Sequence, residues 1–431
     1  MFDNNTKIGI EKIIDFIVAF ISVLLIAFVE DNPSNLPLVG TALIVVSIYV
    51  MIRGRKNKML FFLLFIISMI NISIGVYDCL LEGVDVSAWQ LSGLRATKYN
   101  TITAKGVLLF VTMFNLFIKD DVLKNEKKSN FDELRINNTL ISYMGVLVMY
   151  VVLVYALISQ LLTRNLGNYQ SVSSPIFEYC VIVLCVSWYY SKNNLVVDWL
   201  ILLYVFFYSI IFLAIGDRSS VFMYLLMLYL LYFQKKFTMW AVLGFSLIGI
   251  FCANIIGIMR SAGAFNFSEI ISMATSRGLY VDTFSWSYYA GIAITALAHT
   301  VDSKIPFCLA YILSFIGIKN DFSSFTVFAL NYNGLYNNGG GFCSPYLYMC
   351  GGYLGIVVGA VFIAFVINIF FSNNRPFNSI YQAVIVAMSL RWYLYNPVTL
   401  FRGILFLMPL LLIACRLFDN TMRSNDTQSR G

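Results

Sequence analysis

Apolar runs of about 15 to 25 residues, separated by short polar stretches, recur along almost the whole chain, and this rhythm leaves few folds open. A hydrocarbon layer about 30 Å thick needs a helix of roughly 20 residues to cross it. The runs are apolar on every face, whereas a membrane barrel needs strands that alternate apolar and polar residues. Of 431 residues, 59% are hydrophobic and 12% charged, with a mean hydropathy of +0.78. So little polar surface does not suit a soluble domain. The expected fold class is therefore all-α, a polytopic integral membrane protein with about twelve transmembrane helices and a large outer loop carrying short interfacial helices.

The spans are expected near 12–29, 36–52, 59–77, 103–119, 139–162, 176–190, 196–215, 220–233, 239–258, 346–371, 380–396 and 403–418. The chain then divides into helices one to nine over 1–258, a loop over 259–345, helices ten to twelve over 346–418, and a tail over 419–431. With the N-terminus inside, most of the 29 Lys and Arg fall on the cytoplasmic side, in "RGRKNK", "KDDVLKNEKKSNFDELR" and "QKKF". That is the positive-inside pattern, and it places both termini in the cytoplasm. The net charge of +7 thus reports orientation among membrane lipids, and no nucleic-acid partner is expected. The first run follows Lys7 and Lys12 as a signal sequence would. It ends in "AFVEDNPSN" without a small-x-small cleavage site, so it reads as an uncleaved span.

One connection is far longer than the others, roughly 85 residues from Met259 to Cys343. Within it "YYAGIAITALA" and "IPFCLAYILSFIGI" are apolar but short, and read as interfacial or re-entrant helices. The rest is rich in Asn, Ser, Gly and Tyr, which suits a hydroxyl-rich ligand. The eight cysteines show no CxxC pair and His299 is the only histidine, which speaks against a zinc site. Cys308 and Cys343 fall in the outer loop, where an oxidising compartment permits a disulfide. No cofactor is expected.

Five outward arginines stand at membrane depth, against the rule that favours cations inside. Arg218 follows Asp217 in "LAIGDRSSVF", Arg260 lies in "GIMRSAGAF", Arg277 in "ATSRGLYVD", Arg391 in "VAMSLRWYLY" and Arg402 in "VTLFRGILF". Guanidinium groups are permanently charged forks of donors matched to phosphate oxygens, so such a set suits a lipid-linked diphosphate. In a half-dry cleft they would also stabilise charge on a departing diphosphate. The plainer alternative is that they snorkel to headgroups or pair with local acids, Asp217 with Arg218 in particular. A second feature is "NYNGLYNNGGGFCSPYLYMCGGYLG", where Gly340 and Gly341 would leave backbone amides uncovered for a phosphate or sugar oxygen. Ser344 and Pro345 read as the cap and first turn of the tenth span, and Tyr348 as a sugar contact.

The G-x-R at the outer end of a span, Gly216 to Arg218, resembles the O-antigen polymerases of the Wzy type. These also carry a large periplasmic loop in the second half, a Gly-rich run feeding a span marked by Ser, Tyr and spaced glycines, and an "RG" opening the last span. The likeness covers mainly residues 213 to 410. It implies a bacterial inner-membrane glycosyltransferase that joins undecaprenyl-pyrophosphate-linked oligosaccharide repeats at the periplasmic face. The growing chain would leave its carrier for the non-reducing end of a new lipid-linked unit. By the same resemblance Arg218, Arg402 and Arg260 are the catalytic arginines, and a chain-length regulator and a flippase of the same pathway are expected partners. The chain departs from the pattern where the family often has a Glu ahead of the Tyr in the Gly-rich motif, for here Tyr346 precedes Tyr348.

A sugar hydroxyl must lose its proton as it attacks, so a base is expected near the arginines. The sequence offers His299, Glu269, Asp282, Asp302, Asp321 and Asp217 without choosing among them. His299 is the right type at neutral pH. Two rivals remain: an O-antigen ligase, whose "HN" after the loop histidine has no match in "AHTVDSK", and a flippase or other transporter. A transporter should line both halves with charges at mid-depth, whereas the interior charges here are few, namely Lys105, Glu178, Asp198 and Arg391.

Overall fold

Asparagines mark where the chain reverses. Asn32 accepts a hydrogen bond from the Ser34 amide at 3.1 Å, and Asn57 accepts one from the Leu60 amide at 3.2 Å, so each caps the turn that follows it. In the computed structural model these turns join helices α1 (Asn4–Phe28), α2 (Leu36–Arg53) and α3 (Lys58–Ser73), the last running on through a wider π turn, Ile74–Leu80. There follow the short α4 (Ser92–Arg95), α5 (Lys98–Phe117), the short α6 (Asp120–Lys124), α7 (Thr139–Leu162), α8 (Pro175–Tyr189), α9 (Leu195–Ile215) and α10 (Arg218–Leu228). The second half supplies α11 (Asp282–Thr300), α12 (Ile305–Phe315), α13 (Phe325–Tyr332), α14 (Cys343–Ser372), α15 (Pro376–Ala387), α16 (Ser389–Leu394), α17 (Val398–Phe401) and α18 (Met408–Gln428). A π stretch, Arg402–Leu407, links the last two. The structure describes residues 4–81, 92–124, 135–162, 175–215, 217–233, 280–318, 324–335, 340–372 and 376–428, with isolated positions between 244 and 275. Arg260, Arg277, Glu269, Asp321, Gly216 and most of the expected span 239–258 lie outside the described residues.

The described chain is almost entirely helical and has no strand, only an isolated bridge between Asn137 and Ser191. Seven helical stretches are long and apolar enough to cross a membrane: Pro33–Lys56, Lys58–Leu80, Lys98–Phe117, Thr139–Ser159, Leu195–Leu213, Cys343–Ser372 and Val398–Asn420. Shorter apolar helices cover Ile176–Tyr189, Arg218–Phe233, Ile305–Phe315 and Phe377–Ala387. Large apolar side chains such as Phe20, Val151, Phe206, Leu354 and Leu410 are exposed around the bundle, an arrangement that hydrocarbon tolerates and water does not.

Polar contacts gather at the two ends of the bundle. At one end Arg53 is paired with both Asp15 and Asp120, and Asp15 also accepts from Tyr49 at 2.7 Å and Asn115 at 3.0 Å. Nearby Asn57 donates to the Val122 carbonyl, and Asn368 ties the end of α5 to α14. Arg135 pairs with Asp198 at 2.5 Å on the same side. Arg53, Asn57, Asp120, Val122 and Arg135 belong to the loops expected to be cytoplasmic, and their partners to the adjoining expected spans.

The opposite end is organised by α11. Its residues from Ser285 to Ala298 are almost all buried, yet it is not a crossing helix. Its first residue, Asp282, meets Arg218 at the start of α10, while His299, at the other extremity, meets Tyr348 and the ring of Tyr99 at the start of α5. Both of its ends therefore lie at one end of the bundle, and α11 runs across it. A stripe of polar side chains holds it there. Ser285 donates to Asp78 at 2.8 Å, Tyr288 to Asn100 at 2.8 Å and Thr103 to Thr295 at 2.9 Å. The first apolar piece of the long connection is thus a buried transverse helix, whereas α12 keeps Ile305, Leu309, Ile312 and Ile316 exposed, as an interfacial helix does.

The Gly-rich run closes against this end. Gly341 has φ +137°. A Cβ there would stand 2.4 Å from the Tyr395 carbonyl oxygen and 2.7 Å from the Tyr346 ring. Gly341→Ala combines an unfavourable backbone with a clash against main chain, and is expected to cost roughly 3 kcal/mol. A thermal scan of the detergent-extracted protein checks this, and an unchanged midpoint would contradict the packing described.

Candidate functional site

The turn between α9 and α10 is built by Asp217. Its carboxylate accepts from the Ser220 amide at 3.2 Å and the Ser219 hydroxyl at 2.9 Å, capping α10. Arg218 does not pair with it. The Arg218 Nη2 lies 2.9 Å from both carboxylate oxygens of Asp282, so the expected pairing within the Asp217–Arg218 dipeptide is replaced by one between α10 and α11. The physical reason is directional: the cap turns the Asp217 oxygens back onto its own helix, while Arg218, the first helical residue, faces the start of α11.

Arg391 lies on the other side of Asp217, 3.7 Å from its Oδ2. It is ion-paired with Glu178 of α8, and its guanidinium sits over the Tyr395 ring with the carbon 4.6 Å from the centroid. The residue after Glu178, Tyr179, lies beside Arg402, whose Nη2 donates to the Ser314 carbonyl of α12. Arg402 opens the π stretch Arg402–Leu407, and such turns concentrate at functional positions. The buried Nε atoms of Arg391 and Arg402 have no hydrogen-bond partner among the described residues. Arg391 thus joins Glu178 to Asp217 at the α11 end, with Arg218 next to Asp217 in sequence and Arg402 beside Tyr179, the residue after Glu178. Three acids, Glu178, Asp217 and Asp282, balance their charge.

His299 and Tyr348 are brought together, with Nε2 2.9 Å from the tyrosine oxygen, but elsewhere. Seventeen helical steps separate His299 from Asp282, about 25 Å along α11. A base acting beside Arg218 cannot be His299, and this corrects its placement among the catalytic residues. Burial and the nearby Lys304 and Lys98 hold its imidazole below the ordinary histidine range. Asp302 is exposed beyond the end of α11.

The Gly-rich motif also differs from expectation. Gly340 packs on Ser287 and gives its carbonyl to the Thr326 hydroxyl, and Gly341 is buried under Tyr395, so these glycines serve close packing rather than an open amide cradle. Helix α14 begins at Cys343, which puts Ser344 and Pro345 inside its first turn; the buried Ser344 hydroxyl caps nothing and has no partner among the described residues. Tyr346, standing where the resembled family often has Glu, is a packing residue: its ring stacks on Phe325 at 5.0 Å and its hydroxyl meets Thr326 at 2.9 Å. The Cys308 thiol donates to the Cys350 carbonyl at 3.2 Å, and Cys343 is buried and free, so the Cys308–Cys343 disulfide is not formed.

Sequence reading missed Glu178 as a site residue, although an acid within an apolar run is a functional signal in itself. It also missed the partnership of Lys105 with Asp31, 2.5 Å apart beside the His299 group. No family model, no curated protein and no solved structure matches the chain.

Removing the Arg391 side chain strands a buried Glu178. Arg391→Ala is expected to lower stability by about 3 to 5 kcal/mol, and Glu178→Gln in the same chain to recover part of it. Arg391→Lys should not restore the wild-type value, since an ammonium cannot pair with the acids and lie flat over Tyr395 at once. Thermal midpoints of the purified variants decide between these outcomes.

Proposed function

We propose that the protein is a Wzy-type polymerase of surface polysaccharide, joining polyprenyl-diphosphate-linked oligosaccharide repeats at the outer face of a bacterial inner membrane. In this reading the chain crosses the membrane twelve times, the Arg53 end faces the cytoplasm and the α11 end faces the periplasm. The observation that carries it is the placing of Arg218 and of Arg391 with its near neighbour Arg402, two separate parts of the chain, around Glu178, Asp217 and the half-open carboxylate of Asp282. The resemblance in sequence supplies the reaction class.

The pairing of the arginines suggests how they act. A diphosphate arriving at the locus competes with carboxylates for guanidinium donors, and Arg218 exchanges Asp282 for phosphate oxygens. Asp282, freed of its cation, has both carboxylate oxygens open to accept a hydrogen bond. Its side chain is 35% exposed, against 19% for Asp217 and 17% for Glu178, so it is the acid an acceptor sugar can reach. The acceptor hydroxyl attacks the anomeric carbon, its proton passes to Asp282, and the bond from that carbon to the diphosphate oxygen breaks. The charge left on the diphosphate falls to Arg391, Arg402 and Arg218, where low dielectric strengthens each contact.

A flippase would translocate the same lipid-linked units without joining them, and a ligase would transfer finished chains. Gel analysis of the surface glycan separates the three. Arg402→Ala and Asp282→Asn are expected to leave the protein in the membrane while reducing the glycan ladder to single repeats. A ladder of normal length in both variants would overturn the assignment. Loss of all repeats would indicate transport, and unattached polymer a ligase.

A further inference from the structure

Condensing two lipid-linked units requires two diphosphates at the outer surface, yet the arginine locus is balanced by three acids and has the geometry of one. The residues around His299 have a different balance. Five segments meet there: the α1–α2 turn with Asp31, the start of α5 with Lys98, Tyr99 and Lys105, the end of α11 with His299, Lys304 at the cap of α12, and Tyr348 and Tyr353 of α14. The acid whose charge reaches His299, Asp31, is already paired with Lys105, while Asp302, between His299 and Lys304, is exposed. Lys98 and Lys304 form no ion pair among the described residues. Each instead stands over an aromatic ring, Lys98 over Tyr99 at 5.6 Å and Lys304 over Tyr348 at 5.8 Å. Those two rings flank the imidazole, with centroids 5.5 and 5.8 Å from it.

The backbone beside this group is also open. Helix α14 breaks at Gly351 and Gly352, the latter at φ +61°, ψ −146°, three residues after Tyr348. A helix broken at membrane depth frees main-chain groups that need partners, and such breaks occur where they line a polar site. Cys308 answers one of them, the Cys350 carbonyl. The Tyr353 hydroxyl, next to the break, is buried without a partner among the described residues.

We propose that Lys98, Lys304, His299 and Tyr348 form a second site for a lipid-borne phosphate or diphosphate, separate from the arginine locus. Its role as the seat of the acceptor's diphosphate rests on the polymerase reading; the phosphate site itself does not. The two lysines supply charge from opposite sides of the ring pair, the Tyr348 hydroxyl and the imidazole supply donors, and α11 sets the spacing of the two headgroups at about 25 Å. An anion held there favours the imidazolium, so affinity should rise as pH falls from 7.5 to 5.5; the other charged groups facing the ring are Asp31, paired with Lys105, and the two lysines.

The test uses the full chain in phosphatidylcholine nanodiscs, titrated with farnesyl diphosphate and read by native mass spectrometry. Two ligands are expected on the wild type. The exposed Lys98→Gln with Lys304→Gln should weaken one of them at least about tenfold, and Arg402→Ala the other. His299→Asn should weaken the first and flatten its pH dependence, and Tyr348→Phe should weaken it while keeping the pH dependence. If the lysine pair binds both ligands as the wild type does, with either lysine changed alone or both together, the site does not exist. Nanodiscs containing phosphatidylglycerol distinguish the source: displacement of the lysine-dependent ligand by that lipid upholds the phosphate site and overturns its acceptor role. A normal glycan ladder in Arg402→Ala cells would remove the polymerase reading and leave the binding result standing.

Discussion

The polar stripe of α11 is the constraint on which this end of the molecule depends. Asp282, Ser285, Tyr288, Thr295 and His299 recur at helical spacing along a segment otherwise apolar, and their partners, Arg218, Asp78, Asn100, Thr103 and Tyr348, stand on four other elements. A hydroxyl buried without a hydrogen bond costs about 1 to 3 kcal/mol, so rotating or sliding this helix would forfeit several such contacts together. The apolar surface alone would be satisfied by many orientations. The stripe selects one, and with it fixes where the two charged groups stand relative to each other.

The two ends of the bundle use charge differently. At the Arg53 end a single guanidinium is enclosed by Asp15 and Asp120, with Tyr49 and Asn115 completing the carboxylate's bonds. This network ties α1, α2, α5 and α6. The Arg53 Nε is nonetheless buried without a partner among the described residues, as are those of Arg391 and Arg402, so unmet donors do not tell the two ends apart. What differs is number: one arginine serves the first network, whereas at the α11 end Arg218 and Arg391 meet three acids, Asp282, Glu178 and Asp217.

Much of the helix pattern was legible because hydrocarbon imposes a length on helices: seven expected spans fall on described stretches long and apolar enough to cross, while those at 176–190, 220–233 and 380–396 fall on shorter apolar helices and the ninth lies mostly outside the described residues. Arg218, Arg391 and Arg402 could be singled out because a permanent charge on the side disfavoured by the basic-residue rule needs a cause. What could not be read was pairing. The alternation that marks an amphipathic helix says which face is polar, not which partner lies across from it, so Asp217 was matched with its neighbour in sequence rather than with Arg391. The role of "YYAGIAITALA" was hidden for the same reason: its polar positions lie on either side of the apolar core of the motif, and only their partners show that the helix runs across the bundle. The glycines of "NNGGGF" misled in the opposite way. Freedom of backbone was inferred correctly, since Gly341 adopts a left-handed φ, but that freedom is spent on contact with Tyr395.

Neutralised arginines need not be idle ones. A guanidinium left bare in a half-buried locus would be costly in the empty protein, and an acid beside it lowers that cost until a better anion arrives. Binding then becomes an exchange of counter-ions, and its free energy is the difference between phosphate and carboxylate as partners rather than the full strength of either. In the proposed reading the exchange also liberates the Asp282 carboxylate at the moment of binding. A site built from free cations would release no such group. On that reading the acids around Arg218 and Arg391 hold the cations until the diphosphate arrives.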